Sequence, residues 1–149
     1  MEIRAYTPAA CQRTAALFYN TVHAVACRDY SQEQLDAWAP EDRDLTAWDQ
    51  SFQGHFALVA VEGETLLGFG DITPTGYLDR LYVHQDHLRQ GIATALCERL
   101  EGLVQGPIIT RASYTARPFF AQRGYRLVQA QAVERRGVKL TNFVMRKDR

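Results

Sequence analysis

The segment LYVHQDHLRQGIATAL, residues 81–96, decides the fold of this 149-residue chain. It begins in a strand predicted over 77–83, crosses a short polar loop and enters a helix predicted over about 90–104. The first amides of a helix have no internal partner and carry the positive end of its dipole, and Gly91 and Ala93 let an anion approach them. This arrangement predicts a pyrophosphate-binding loop, although an ordinary helix start remains the alternative. The second and third glycines of a dinucleotide-binding fingerprint and the Gly-Lys-Ser/Thr of a P-loop are missing.

The sequence on both sides of this segment alternates between helical periodicity and strand-like apolar runs. Ser31 and Gln34 fit a capping box, and Pro40 ends the helix that this box opens. Helices are predicted over about 8–25 beginning at Thr7-Pro8, from Ser31 to Pro40, near 45–52, over 90–104 and over 115–123. Strands are predicted over 56–61, 65–72, 77–83, 108–112, 125–134 and 138–146, with turns at Glu62-Gly63-Glu64 and Arg136-Gly137.

The composition predicts one compact domain over residues 1–149. With 46% hydrophobic residues, a chain of this length buries roughly 70% of its unfolded surface and needs neither disulfides nor metal to form a core. Its apolar runs are far shorter than the roughly 18 residues of a membrane span, and its amino terminus lacks a secretory signal pattern. We therefore expect a cytoplasmic protein. The cysteines at 11, 27 and 97 show no C-x-x-C spacing, which favours buried free thiols.

A net charge of zero conceals an asymmetry along the chain. Residues 1–75 carry 11 acidic and 4 basic side chains, whereas residues 76–149 carry 6 acidic and 13 basic ones, so the halves stand at −7 and +7. This division predicts a polyanionic ligand near the second half and a cationic ligand near the first, with solvated faces as the alternative. Nucleic-acid binding is disfavoured, because the arginines are scattered rather than clustered with aromatic residues.

Two motifs, in this order, resemble the GNAT superfamily of acetyl-CoA-dependent N-acetyltransferases. The first is the segment over 81–96, and the second is ASYTARPFFAQRGY, residues 112–125. The segments at 21–23, 30–40 and 141–145 further resemble a small uncharacterised bacterial branch, so the resemblance covers nearly the whole chain. It implies an α/β (α+β) fold with a mixed, mostly antiparallel sheet of six to seven strands and helices on both faces. The fourth and fifth strands, here 77–83 and 108–113, are expected to splay apart.

The resemblance implies acetyl-CoA as cosubstrate, with no metal. Backbone groups of the fourth strand are expected to bind the pantetheine arm, and the loop amides to bind the pyrophosphate beside Arg89. Leu88 stands where the family usually has Arg or Gln, so side-chain help from that position is lost. The expected cofactor-binding residues are Leu81, Tyr82, Val83, Leu88, Arg89, Gln90, Gly91, Ile92, Ala93, Thr94, Ser113, Phe119 and Phe120.

Acetylation of an alkylamine requires a base, because such an amine is protonated at neutral pH. Two-residue alternation places Asp79 on the strand face of Leu81, near the expected thioester, and makes it the candidate base ahead of His23 and His84. A structural partner for an arginine is the alternative for Asp79, and a packed side chain for each histidine.

The proton donor to the leaving thiolate has no obvious candidate. The position of the family's usual tyrosine holds Phe120. Water, Ser113 or Tyr114 could serve instead, because a thiol of ordinary pKa near 8.5 leaves tolerably as a thiolate.

Three aromatic residues, Tyr30, Trp38 and Trp48, lie in the acidic half together with His23. They are candidates for an aromatic box that binds a cationic amine, with plain core packing as the alternative. The predicted function is acetyl transfer to a small primary amine by a monomer or homodimer, without nucleic-acid or membrane partners. The alternatives are a noncatalytic acyl-CoA-binding module and a protein N-terminal acetyltransferase.

Overall fold

Seven strands and five α-helices follow one another in the computed structural model, which describes residues 1–149. The strands are β1 (Glu2–Ala5), β2 (Phe56–Glu62), β3 (Thr65–Ile72), β4 (Tyr77–Val83), β5 (Ile108–Ala112), β6 (Arg126–Arg135) and β7 (Val138–Lys147). The helices are α1 (Cys11–Val25), α2 (Gln32–Trp38), α3 (Leu45–Gln50), α4 (Ile92–Glu101) and α5 (Arg117–Gln122). None of these helices has the length and apolarity that a bilayer crossing requires.

One sheet in the order β1-β2-β3-β4-β5-β7-β6 contains all seven strands. Every neighbouring pair is antiparallel except β4 and β5, which run parallel. These two strands pair only at Tyr77 with Ile109 and at Leu78 with Thr110, and then diverge. The predicted mixed sheet with a splay between its fourth and fifth strands is thereby confirmed.

Helices cover both faces of the sheet, as predicted. One core cluster joins α1, α2 and α3 to β2 and β3 around Phe18, Trp48 and Phe69, and a second joins α4 and α5 to the other face. Glycines at 68 and 70 of β3 allow α4 to pack this closely. A Cβ atom at Gly70 would lie 2.9 Å from a methyl carbon of Leu100 and 2.7 Å from the Arg80 carbonyl.

Most element boundaries match the sequence prediction, with local exceptions. The Ser31–Gln34 capping box is present, but the Thr7 side chain makes no capping hydrogen bond, and the chain forms a 3-10 turn over Pro8–Ala10 before α1. Helix α4 is shorter than predicted at both ends, since left-handed backbone at Gly91 delays its start and the helix ends at Glu101. Strand β1 was not predicted, and of the three free cysteines only Cys97 is buried.

Candidate active site

The loop between β4 and α4 presents a row of free backbone donors. None of the seven consecutive amides from Leu88 to Thr94 donates to a backbone carbonyl, and the first bond of the helix runs from the Ala95 amide to the Gly91 carbonyl. Arg89 and Gly91 have left-handed backbone, with φ values of 60° and 82°. A Cβ atom at Gly91 would meet nothing within 4 Å. The loop therefore combines free N–H groups, left-handed backbone and open space at Gly91, which are features of backbone sites that bind phosphate oxygens.

A cleft of about 610 Å³ begins at the splay between β4 and β5. Side chains of α1, α2 and α3 form one wall, and the β6–β7 hairpin contributes Arg135, Arg136 and Asn142 to the other. The side-chain carbonyl oxygen of Asn142 is buried without a hydrogen-bond partner. Such an orphaned acceptor requires a partner, and a ligand N–H group in the cleft would supply one.

Strand β4 carries one extra residue at Asp79. Asp71 of β3 lies opposite Arg80, but the next pair is Ile72 with Leu78, so Asp79 has no partner in register. In such a β-bulge the strict alternation of side chains is interrupted. The bulge interrupts the two-residue alternation from which the position of Asp79 beside Leu81 was predicted. Asp79 nevertheless lines the cleft, as expected of a base.

Asp79 adjoins a buried ion-pair network. The fully buried Asp71 accepts a hydrogen bond at 2.9 Å from Nε of Arg80 and another from Nη2 of that residue. Nδ1 of His55 lies 2.7 Å from the same carboxylate. His55, Asp71 and Asp79 place one oxygen or nitrogen each within 4.8 Å of one another. Metal ions bind such residues, but Arg80 donates to both oxygens of Asp71, and its charge opposes a cation there.

This environment changes the basicity of Asp79. Solvent reaches the side chain within the cleft, but partial burial raises its pKa, and the neighbouring charge of Asp71 raises it further. Arg80 and His55 act in the opposite direction without cancelling the rise. A carboxylate with a raised pKa holds a proton more readily and is thus a better general base than an ordinary aspartate.

The three predicted aromatic substrate residues line the cleft, but two have structural hydrogen bonds. Nε1 of Trp48 donates to the Thr14 hydroxyl at 3.0 Å. The Tyr30 hydroxyl donates to the carbonyl of Thr141 and accepts from the amide of Tyr114, both at 3.0 Å. Trp38 packs edge-on against Tyr30. The box and core interpretations are therefore combined, because these rings belong to the core and also form a cleft wall.

Several other candidates lie outside the lining of this cleft. Nε2 of His23 lies 2.8 Å from the Ala39 carbonyl and its ring packs on Tyr19, while Nδ1 of His84 accepts from the Asp86 amide. Tyr114 is exposed and packs on Phe143. The structure thus separates His23, His84 and Tyr114 from Asp79.

The predicted cofactor residues divide between cleft and loop. Leu81, Tyr82, Ser113 and Phe120 line the cleft. The Val83 carbonyl already accepts a hydrogen bond from the Thr21 hydroxyl at 2.9 Å, which occupies one of its two acceptor sites. Phe119 is half-buried and packs against Phe120.

The charge of the cleft combines residues of both halves of the chain. Its ionisable lining consists of two aspartates and five arginines, a surplus of three positive charges. The arginines are Arg43, Arg80, Arg111, Arg135 and Arg136. An acidic first half predicts a cationic ligand near the helices, but folding also brings arginines of the basic half over them. Two of these arginines, Arg80 and Arg136, are paired with Asp71 and Asp42, and the cationic ligand stays a prediction.

Comparison with known proteins identifies the family. The profile of the acetyltransferase (GNAT) domain matches residues 26–147. The chain belongs to the GNAT family. The prediction of an acetyl-CoA-dependent N-acetyltransferase is thereby confirmed at the level of the family, whereas the acceptor is not identified by the match.

Three known proteins resemble the chain over almost its whole length. YafP, an uncharacterised N-acetyltransferase of Escherichia coli (strain K12), is 34% identical over 98% of this chain and 95% of its own. A GCN5-related N-acetyltransferase from Rhodopseudomonas palustris is 32% identical, with a TM-score of 0.95 over 99% of this chain and 95% of that one. YncA from Salmonella typhimurium, solved with acetyl-CoA, shares the fold at 17% identity and a TM-score of 0.72, covering 99% and 93% of the two chains.

Proposed function

We propose that this GNAT protein transfers the acetyl group of acetyl-CoA to the primary amine of a small molecule, by direct attack in a ternary complex. The observation that carries the proposal is the continuity of two features. A loop with seven unpartnered amides follows directly on the strand that opens the splay and places Asp79 in the cleft.

The cofactor fits the loop and the splayed strands. We expect the amides of Leu88 to Thr94 to bind the pyrophosphate, because they are the free donors of this end of the sheet. Beyond Leu78 the edge of β4 has no partner in β5, so its free backbone groups would bind the amides of pantetheine. YncA of Salmonella typhimurium, which shares the fold, was solved with acetyl-CoA, and this supports the same ligand here.

The reaction exchanges a C–S bond for a C–N bond and removes two protons from the protonated amine, one before the attack and one that ends on the leaving sulfur or in solvent. The amine nitrogen attacks the thioester carbonyl carbon, the new C–N bond forms, and the C–S bond breaks with its electron pair on sulfur. Asp79 accepts the proton of the amine, directly or through a water molecule. Its raised pKa suits that role. His23 and His84, outside the cleft lining, would need a chain of water molecules to take it over.

The leaving thiolate needs little help. Phe120 is buried and apolar and has no proton to give, and Tyr114 lies outside the cleft lining. Ser113 and water remain as donors from the predicted set. Tyr77 and Tyr82 also line the cleft, and burial together with the charge of Asp79 raises the pKa of both hydroxyls. They stay protonated at neutral pH and add two donors that the sequence did not suggest.

Thiol release separates catalysis from mere binding. The protein is incubated with acetyl-CoA and a panel of primary amines, and free thiol and acetylated amine are quantified together. We expect thiol release that depends on the amine and matches the acetylated product in amount. Tight acetyl-CoA binding without release for any amine would instead support the noncatalytic acyl-CoA module. Release only with peptide amino termini would support the N-terminal acetyltransferase.

A further inference from the structure

We infer that the acceptor amine also carries an anionic group, a carboxylate or a phosphate-type group, and that the guanidinium of Arg43 binds it. This inference rests on the proposed function and names the chemical class of its acceptor. It is carried by the position of Arg43, its lack of an ion partner and the charge of the surrounding cleft.

Arg43 lies in the cleft wall, between α2 and α3. Its guanidinium carbon lies 5.0 Å from the ring centre of Phe18 and 4.9 Å from that of Trp48. The two rings fix the position of the guanidinium without supplying an opposite charge. Its one hydrogen bond within the protein, 3.3 Å long, goes to the Trp38 carbonyl, so most of its five N–H donors are free.

The acidic residues nearest in sequence are already engaged. Asp44 caps α3 by accepting from the amides of Thr46 and Ala47. Asp42 pairs with Arg136 at 3.1 Å. Arg43 therefore remains a half-buried cation without a carboxylate within 4.0 Å. Burial lowers the pKa of Arg43, and the charges of Arg136 and Arg80 lower it further, although an arginine still stays charged at neutral pH. An anion would relieve this repulsion.

A second arginine of the cleft, Arg80, differs from Arg43 because it has an ion partner. Arg80 stacks on the same Trp48 ring, with its guanidinium carbon 5.0 Å from the ring centre, so the two guanidinium groups lie within about 10 Å of each other. The buried carboxylate of Asp71 forms an ion pair with Arg80 and neutralises its charge. Arg43 has no such partner, and Arg135 of the β6–β7 hairpin also lines the cleft without an ion pair.

These charges suit a ligand with two opposite ends. An ammonium group near Asp79 and an anionic group at Arg43 would place each charge of the ligand beside its complement. Carboxylate and phosphate oxygens both match the planar donor fork of a guanidinium. A polyamine would instead bring a second ammonium group toward the guanidinium of Arg43, which has no ion partner, so it should be a poor acceptor.

Matched amines test the inference on the wild-type enzyme. β-Alanine, propylamine and 1,3-diaminopropane share the length of their chain and differ in the charge of the far end. O-phosphoethanolamine and ethanolamine form the phosphate arm, and phenylalanine and phenethylamine provide a larger pair that fills an aromatic cleft. We expect kcat/KM for the anionic member to exceed that of its neutral partner by about tenfold or more, with diaminopropane slowest. The arm with the larger ratio distinguishes carboxylate from phosphate. Equal or faster reaction of the neutral or dicationic amines would overturn the inference and leave the proposed function intact.

Variants assign the effect to Arg43. Arg43→Gln should lower kcat/KM for the anionic amine by about 10- to 100-fold, the effect of a lost charge-assisted hydrogen bond, and change the neutral partner by less than about threefold. Arg43→Lys keeps the positive charge and should recover part of the preference. It therefore distinguishes loss of charge from loss of folding. Arg13→Gln is the matched control, since Arg13 also donates to a single carbonyl, at 3.2 Å, but lies outside the cleft lining. A preference unchanged in Arg43→Gln would overturn the assignment.

Two failures remain distinguishable. If no amine supports thiol release, the proposed function fails, and thermal shift of the CoA-loaded protein with the same compounds decides the binding inference. Greater stabilisation by β-alanine than by propylamine, lost in Arg43→Gln, would support it, and equal stabilisation would overturn it. The dissociation constant of CoA should be the same in wild type and Arg43→Gln, because a loss there would assign Arg43 to the cofactor.

Discussion

The two ends of helix α4 differ in whether their polar groups have hydrogen-bond partners within the protein. At the amino-terminal end, the amides from Leu88 to Thr94 have no backbone partner. At the carboxyl-terminal end, the buried Glu101 accepts hydrogen bonds from Arg123 and Tyr125, both at 2.7 Å, with Lys147 at 3.4 Å. We call the amino-terminal end, residues 88–94, the open end, because its amides lack protein partners and are expected to bind a ligand. We call the carboxyl-terminal end around Glu101 the closed end, because the chain itself supplies the partners of that carboxylate.

The closed end also fixes protonation states. Burial opposes ionisation of Glu101, but hydrogen bonds from Tyr125 and Arg123 outweigh it and lower the pKa of the carboxyl. Burial, together with the charge of Glu101, raises the pKa of the Cys97 thiol to about 12. This thiol is therefore unreactive at neutral pH. The network connects α4 to the segment between α5 and β6 and to β7, and it stabilises the fold rather than taking part in the chemistry.

Gly91→Glu should have the largest effect, at the open end. It places a carboxylate where phosphate oxygens approach, so we expect acetyl-CoA binding to be lost in calorimetric titration while the fold remains. Gly106→Glu is the matched control, because Gly106 has a similar φ of 81° and equally open space around its Cβ position. Retained affinity in Gly91→Glu, or equal loss in Gly106→Glu, would contradict the assignment of the open end.

Glu101→Gln tests the closed end. It leaves Arg123 and Lys147 without their buried anion, and we expect a loss of about 3–5 kcal/mol in the free energy of unfolding, measured by denaturant titration. Glu98→Gln is the control, since Glu98 lies 3.9 Å from the same Arg123 but is 66% exposed, and it should cost about 1 kcal/mol or less. Equal losses in the two variants would remove the distinction between closed network and surface pair.

The contribution of Glu101 to the free energy of unfolding should depend on pH. The pKa of Glu101 is lowered in the folded state, so its stabilisation is present above the pKa of an unfolded glutamate. It is lost as the pH falls through the lower, folded value. The difference in stability between wild type and Glu101→Gln should therefore shrink on acidification. A difference that grows in acid would contradict the sign of this shift.

Arg89→Ala should have a smaller effect beside the open end. Arg89 is exposed, so its attraction for the ribose phosphate is screened by salt and is expected to change affinity only a few-fold, about 0.3–1 kcal/mol. CoA should lose more affinity than 3′-dephospho-CoA, and the difference should shrink as the salt concentration rises. Identical losses for the two ligands would remove the ribose phosphate from the role of Arg89.

Phe120→Leu should have the smallest effect on turnover, although the Phe120 side chain lies between the cleft and the closed end of α4. Phe120 lines the cleft and lies 5.1 Å, between ring centres, from Tyr125 of the closed network. Leucine keeps an apolar wall, so we expect most of the turnover to remain and a stability loss of about 1.5 kcal/mol or less. A loss of more than about tenfold in kcat with unchanged cofactor affinity would give Phe120 a part in catalysis.

The open end could be predicted from sequence because its geometry is local. A strand, a short loop and Gly91 before a helix are contiguous in the chain, and backbone amides do not depend on distant side chains. The mixed sheet and its splay followed from the resemblance of two motifs to a family. Strand β1 was missed because a strand of only four residues gives little periodic signal.

The sequence suggested the aromatic wall of the acceptor cleft and Asp79, but not the rest of the cleft, because the cleft is built from long-range contacts. Arg43, Asp79 and Asn142 come from three distant segments, and the bulge at Asp79 depends on pairing with β3. One signal was available, since Asp71 is a charged residue in an otherwise apolar run over 65–72. A buried carboxylate there requires a cation, and Arg80 of the next strand is the nearest candidate.

The proton acceptor is the central claim, and the pH dependence of turnover in wild type and Asp79→Asn tests it most directly. Thiol release is measured with one confirmed amine, alongside the cofactor's dissociation constant and the unfolding temperature. The base acts when deprotonated and its pKa is raised, so wild-type kcat should fall on acidification at a higher pH than an ordinary aspartate would give. Asp79→Asn should lose about 10²- to 10⁴-fold in kcat together with that acid limb, with binding and folding retained. Wild-type turnover in Asp79→Asn across the pH range would contradict the account.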